Sequence, residues 1–303
     1  MENYDDLILA KGQEKTAQEQ PKEHKPFDKA AYAEKRQQER ATAYALIETT
    51  LEKLPNNGEL LQAYLDVQAR FDRYSVSNVA LITAQKPEAT QLADFEKWKS
   101  LGYSVKKGET GIVILEPGKE YTRGDGSAAV SFNVKKVFDT TQTNAKPEPA
   151  PTITRNERTI LKALITNVPC KLEVNNDIPE QFNAQYRPEV NTIFVRQSMD
   201  GPDLFRGLSQ EVALAYMNAP DYKRSENCWA AYCVSYILCK RYGIAADTYD
   251  FNDVPSAYRK MDAQELRSEL TKIRKIANDI SGQMNRSLSE LQKLPKSRDD
   301  GAR

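Results

Sequence analysis

A single histidine, His24, serves all 303 residues, and it lies in a charged stretch near the N-terminus. Histidine is the commonest imidazole metal ligand and the usual base beside a nucleophilic serine or cysteine. A histidine-based zinc site, a Ser/His/Asp triad and a Cys/His dyad therefore all lack their defining residue in any segment able to form a core. Cysteine does not fill the gap. Of Cys170, Cys228, Cys233 and Cys239, the last three fall on one helical stretch. Offsets of five and eleven residues from Cys228 turn about 140° and about 20°, so Cys233 faces away and Cys239 lies three turns distant. They read as buried structural thiols of a reduced intracellular protein, without a disulfide framework. No cofactor and no metal is expected.

Forty-three basic and 43 acidic residues cancel. That balance excludes a uniformly basic protein that coats DNA by electrostatics alone. No apolar run approaches the roughly 18 residues that cross a bilayer, and Met1 to Ala10 is short and acidic. The expectation is a cytoplasmic protein with no membrane insertion and no signal peptide.

The length suggests about two domains, and composition places their limits. Residues 1–28 are too polar to offset their ordering entropy and read as a disordered tail. A first domain occupies 29–143. Residues 144–155 form a linker, with three prolines between Asn144 and Pro151. A second domain spans 156–292, and 293–303 form another tail. The expected class is α+β.

Periodicity supplies the elements. Helices are expected from Asp28 to Leu54, from the Asn56-Asn57-Gly58 break to Phe71, over 77–84 and over 91–101. The pattern then turns extended, with strands at 103–105, 111–115 and 130–138. In the second half a helix is expected over 156–167 and strands over 171–174 and 192–195. Helices follow over 203–218 and 225–242. The last helix starts at Asp262, where Glu265 completes a capping-box pattern. Its near-heptad stripe from Leu266 to Met284 could pair with another chain, but such a stripe more often packs on its own domain, especially with Gly282 inside it.

Between Arg70 and Lys146 twelve Lys/Arg stand against nine Asp/Glu, interleaved with Tyr74, Phe95, Trp98, Tyr103 and Tyr121. Basic charge with aromatic faces suits single-stranded nucleic acid, because bases stack and phosphates pair. The order of residues adds to this. Tyr74-Ser75-Val76-Ser77-Asn78 precedes Gln85 to Thr90 and Phe95-Glu96-Lys97-Trp98. Then come the turn Val105-Lys106-Lys107-Gly108-Glu109-Thr110-Gly111-Ile112 and Val137-Phe138-Asp139-Thr140-Thr141-Gln142-Thr143. The series resembles the N-terminal single-stranded-DNA-binding domain of ArdC-type antirestriction proteins. The resemblance implies a DNA-binding role in plasmid or transposon transfer, with proteins of a conjugation machinery as possible partners. Candidate DNA-binding residues are Lys106, Lys107, Arg73, Tyr74, Lys97 and Trp98. Lys97 and Trp98 are adjacent on a helix, so only one can face a common groove. For Trp98 a place in the core is an equal alternative, and Asn78 and Gln142 read equally as turn or capping residues.

The second half resembles the zinc-peptidase-like, zincin-like domain of the same family, a mostly helical unit with a small sheet. In that pattern two histidines four apart on a helix hold zinc, and the intervening glutamate activates water. Here Gln210 and Leu214 stand at the histidine positions, Glu211 remains, and Tyr232 stands at the position of the third, acidic ligand. The resemblance implies a pseudopeptidase, not an enzyme, used for scaffolding or protein binding. Glu211, without a zinc-bound water, is expected to pair with a neighbouring Tyr or Arg or to face solvent, and Glu211→Gln to cost little stability. The competing readings are a protein-interaction module without DNA binding and a metal-dependent hydrolase with a relocated site.

Overall fold

The computed structural model describes residues 28–146 and 156–293. His24, the tails before residue 28 and after 293, and most of the proline-rich linker lie outside the described residues. The chain divides into two compact units, Met1–Gln38 and Glu39–Arg303. The described part of the first is the opening of helix α1 (Lys29–Lys53), where Asp28 Oδ1 accepts from the amides of Ala30 and Ala31 at 2.9 and 3.0 Å.

The second unit is mixed helix and sheet, and its helices begin where short polar side chains can cap them. Asn57 caps α2 (Gly58–Arg70), Ser75 caps α3 (Val76–Gln85) and Asp94 caps α4 (Phe95–Ser100). Asn156 and Asp200 do the same for α5 (Glu157–Ile165) and α6 (Gly201–Tyr216). Helix α7 (Arg224–Tyr242) ends at Gly243 and is buried on nearly every side from Ala230 to Cys239, as a helix central to a core must be. After the single turn α8 (Ser256–Arg259), α9 (Ala263–Lys293) opens with the expected capping box. Asp262 Oδ1 accepts from the Glu265 amide at 2.8 Å, and Glu265 accepts from the Asp262 amide at 3.0 Å. Its stripe of Leu266, Leu270, Ile273, Ala277, Ile280 and Met284 is buried within the chain's own core.

Two small sheets join these helices. In the first, strands β1 (Leu92–Ala93), β2 (Ile112–Thr122) and β3 (Ala128–Asp139) lie in the order β1-β3-β2, all antiparallel. In the second, β4 (Lys171–Val174), β5 (Ala184–Arg187) and β6 (Thr192–Val195) lie in the order β4-β6-β5, with only β4 and β6 parallel. On the side of β2 away from β3, α3 supplies two carboxamides in place of a strand. Asn78 accepts from the Leu115 amide at 2.7 Å and donates to its carbonyl at 2.8 Å. Gln85 does the same for Val113, at 2.9 Å in both directions. Asn78 is therefore neither a turn residue nor a cap.

Several boundaries differ from the expected ones. The helix expected over 91–101 begins at Phe95, because Asp94 caps it and Leu92–Ala93 pair with β3. The strand expected at 103–105 reduces to one bridge, Val105 with Thr143. The hairpin strands β2 and β3 run well past 115 and start before 130. Strand β5 and helix α8 were not anticipated.

The end of α2 is held by the C-terminal helices. Arg241 on α7 donates to the carbonyls of Ala69 and Gln68, both at 3.2 Å, and to Ala277 O and Ser281 Oγ of α9 at 3.3 and 3.0 Å. Asn278 and Arg274 of α9 donate to the carbonyls of Asp72 and Arg73 at 3.0 and 3.3 Å. Tyr236 and Lys240 both reach Asp66, at 2.8 and 3.0 Å. Gly58 is required at the start of α2, since a Cβ there would lie 2.6 Å from the carbonyl oxygen of Phe251.

Candidate functional site

The Val105–Ile112 turn and the Val137–Thr143 segment touch each other. The Lys106 amide donates to Gln142 O at 2.9 Å, and the Lys106 ammonium donates to Thr141 O at 2.8 Å. Gln142 donates to Thr110 O and to Glu109, both at 2.9 Å, and accepts from the Asp139 amide at 3.0 Å. Asp139 is fully buried. Burial opposes its charge, but hydrogen bonds from Thr141 and from the Thr90 and Gln91 amides hold its carboxyl below the usual aspartate value. The motif around Asp139 thus fixes the turn that presents Lys106 and Lys107, both exposed. Gly108 takes φ +90, which lets the chain turn sharply after the lysine pair.

The other candidates separate. Trp98 is 1% exposed, and its indole N–H donates to Phe138 O at 2.8 Å. It is a core anchor and presents no face for stacking. Lys97, one residue earlier, is exposed, as the helical angle requires. The rings the surface does present nearby are Phe95 and Tyr103, 51% and 41% exposed, with Lys97 and Lys99 exposed on the same short helix. Tyr103 rests edge-on against Trp98 at 6.1 Å. Arg73 is exposed, and Tyr74 packs edge-on to Phe71 at 5.6 Å. Trp98→Phe is expected to lose one buried hydrogen bond, about 1–2 kcal/mol in a urea melt, with single-stranded DNA affinity unchanged.

In the C-terminal part, Gln210, Glu211 and Tyr232 line one cleft of about 170 Å³, while Leu214 is fully buried in the core. Glu211 is 2% exposed and neither idle nor solvated. Arg224 grips both its oxygens, at 2.5 and 2.7 Å, and the Tyr186 amide of β5 donates to one of them at 2.7 Å. Burial works against the Arg224 charge, but the hydrogen bonds to Glu211 and the Glu211 charge together outweigh it and raise its pKa. The Tyr232 hydroxyl accepts from the Asp250 amide at 2.7 Å, and its ring stacks on Trp229 at 5.5 Å. Zinc, which the family pattern implies, does not fit these residues. Leu214 has no donor atom, Tyr232 is fixed to backbone, and both Glu211 oxygens are occupied. Among the described residues no three His, Cys, Asp or Glu are grouped to hold a metal ion.

Sequence reasoning allowed Glu211 an arginine partner but did not identify Arg224, thirteen residues away, for which no local pattern exists. It also missed Asp139, although Asp139 followed three residues later by Gln142 is a capping-box spacing.

Residues 45–164, which include the hairpin sheet, the helix clamped on it and the lysine turn, match the family model described as the N-terminal domain of anti-restriction factor ArdC. An uncharacterized protein of Bacillus anthracis is 28% identical over 138 residues, a match covering 36% of this chain and only 23% of that protein. Two crystal structures of the antirestriction protein ArdC from plasmid R388, metal-free and Mn(II)-bound, align at 17% identity. They cover 72% of this chain and 86% of that one, with TM-scores of 0.48 and 0.49. No helix among the described residues is long and apolar enough to cross a membrane.

Proposed function

We propose that this chain binds single-stranded DNA through its ArdC-type part, as a non-enzymatic antirestriction or transfer accessory of a mobile element in the cytoplasm. The observation that carries the reading is the lysine turn: Lys106 and Lys107 are exposed beside the buried Asp139–Gln142 network, with the Lys106 ammonium resting on the Thr141 carbonyl. Exposed Phe95 and Tyr103 supply rings of the kind that stack on bases, replacing Trp98 in that role. The occupied Glu211 carboxylate supports a C-terminal half that works without catalysis.

Fluorescence anisotropy with single-stranded and duplex oligonucleotides over a salt series tests this. Single strands should bind more tightly, with affinity falling as salt rises because phosphate contacts release counterions. Lys106→Glu with Lys107→Glu should weaken binding by about tenfold or more at low salt and flatten the salt slope. Phe95→Ala and Tyr103→Ala should each lose about 1–3 kcal/mol with little change in that slope. Absence of salt-sensitive binding would favour the other reading, a protein-interaction module. That reading draws on the exposed Tyr121, Val130 and Phe132 along the outer part of the hairpin.

A further inference from the structure

A larger cavity, about 690 Å³, opens where the end of α6, the first two turns of α7, the segment around α8 and the first third of α9 meet. It shares no lining residue with the Glu211 cleft. Its volume lies within the roughly 300–1,000 Å³ range of ligand sites.

Aromatic rings and carboxylates dominate its walls: Tyr222, Trp229 and Tyr258 beside Asp221, Glu226 and Glu269. The lining cation, Lys272, already donates to Asn227 and Glu269, at 2.8 and 3.4 Å. Tyr258 also donates to Glu269, at 3.0 Å. Glu226 has a surface pairing with Lys223, whose side chains are 63% and 67% exposed, an arrangement that water readily replaces. The exposed Asp221 carboxylate makes no side-chain hydrogen bond among the described residues and has the Lys223 ammonium in its neighbourhood, and the Tyr222 hydroxyl, itself shielded from solvent, has no hydrogen-bond partner. The open capacity of the cavity is therefore mainly to accept hydrogen bonds, beside aromatic faces and under net negative charge. The amides at the start of α7 favour an anion, but Glu226 already sits in that first turn and offsets them.

We infer that this cavity binds an organic cation, specifically a guanidinium group, carried either by a small amine or by an arginine of another protein. A guanidinium is planar, weakly hydrated and rich in donors, so it can lie on a ring while its edge meets carboxylates. An ammonium offers fewer donors and no face.

Trp229 lines the cavity, and the second tryptophan, Trp98, is buried in the N-terminal part. Tryptophan fluorescence of the full chain therefore reports binding against a constant background. The probes are agmatine, the blocked tripeptide acetyl-Gly-Arg-Gly-amide, and the same tripeptide with uncharged citrulline in place of arginine. A saturable response to the guanidinium probes with a Kd of about 1 mM or tighter is expected, and a citrulline response about tenfold weaker or absent. Asp221→Asn should weaken guanidinium binding by about fivefold or more while leaving the melting temperature unchanged. Agmatine binding as tightly as the arginine tripeptide assigns the site to small amines; tighter tripeptide binding assigns it to a protein arginine. No saturable response up to about 10 mM, equal binding of the citrulline peptide, or an indifferent Asp221→Asn variant overturns the inference.

Discussion

Arg241→Ala is expected to destabilise the protein by about 3–5 kcal/mol. The last carbonyls of a helix have no partner within it, and at the end of α2 those of Gln68 and Ala69 are met by this one guanidinium. The same group reaches Ala277 and Ser281 on α9. Burial disfavours its charge, and the nearby Asp72 only partly restores it. Truncation to alanine therefore leaves several acceptors without a donor in a part-buried setting. Lysine should rescue little, since one ammonium cannot replace a fork that spans two helices. The turn carrying Arg73 and Tyr74 should loosen at the same time, because its carbonyls are held by α9 alongside. Urea melts give the energy, and amide hydrogen exchange over residues 66–78 gives the location. A loss below about 1 kcal/mol would mean that the C-terminal helices do not brace α2 in this way.

Glu211→Gln is the second large effect, about 2–4 kcal/mol by the same melts. From sequence, Glu211 is expected to pair with a Tyr or Arg or to face solvent, and its exchange to cost little; the Arg pairing is present, but its burial raises the expected cost. The carboxylate is buried, so neutralising it leaves Arg224 without its counter-charge, and part of the bidentate grip is lost. The expected loss is smaller than for a fully buried pair because the Arg224 side chain keeps 26% of its exposure. Glutamine can still accept from the Tyr186 amide, so Glu211→Ala should be worse. Replacing both Glu211 and Arg224 with apolar residues should hurt less than the sum of the two single changes, since no lone charge remains. A double variant as unstable as the summed singles would sink the account.

How much of this was legible in sequence depended on the range of the interactions. Helices announced by caps and periodic apolar residues, such as α6 and α9, lie within a few residues of their expected limits. Strand β5 did not, because its four residues show no alternation long enough to read and gain their identity from β6 and from Glu211. The helix expected over 91–101 starts before α4 does because Leu92 fits the apolar spacing, while β1 exists only through pairing with β3, some forty-five residues away. At the lysine turn the exposed residues were identified from the sequence, but the network that fixes them spans Thr90 to Gln142. The double identity of Trp98, as groove or core residue, could not be resolved from spacing, since adjacent helical positions differ by about 100° whichever one faces inward.

The clamp of Asn78 and Gln85 on β2 bears on how the protein avoids sticking to itself. An open strand edge is a template on which another chain can add, and a hairpin this long would otherwise offer one along its whole length. Near the core, two amide side chains close that edge at Val113 and Leu115. Farther out, Pro117 removes a donor, the register slips between Pro117 and Glu120, and Lys119 and Glu120 add charge. Replacing Asn78 and Gln85 with apolar residues of similar size would keep the helix and open the inner edge. The consequence would be self-association that grows with concentration, visible by light scattering before any loss of helical signal.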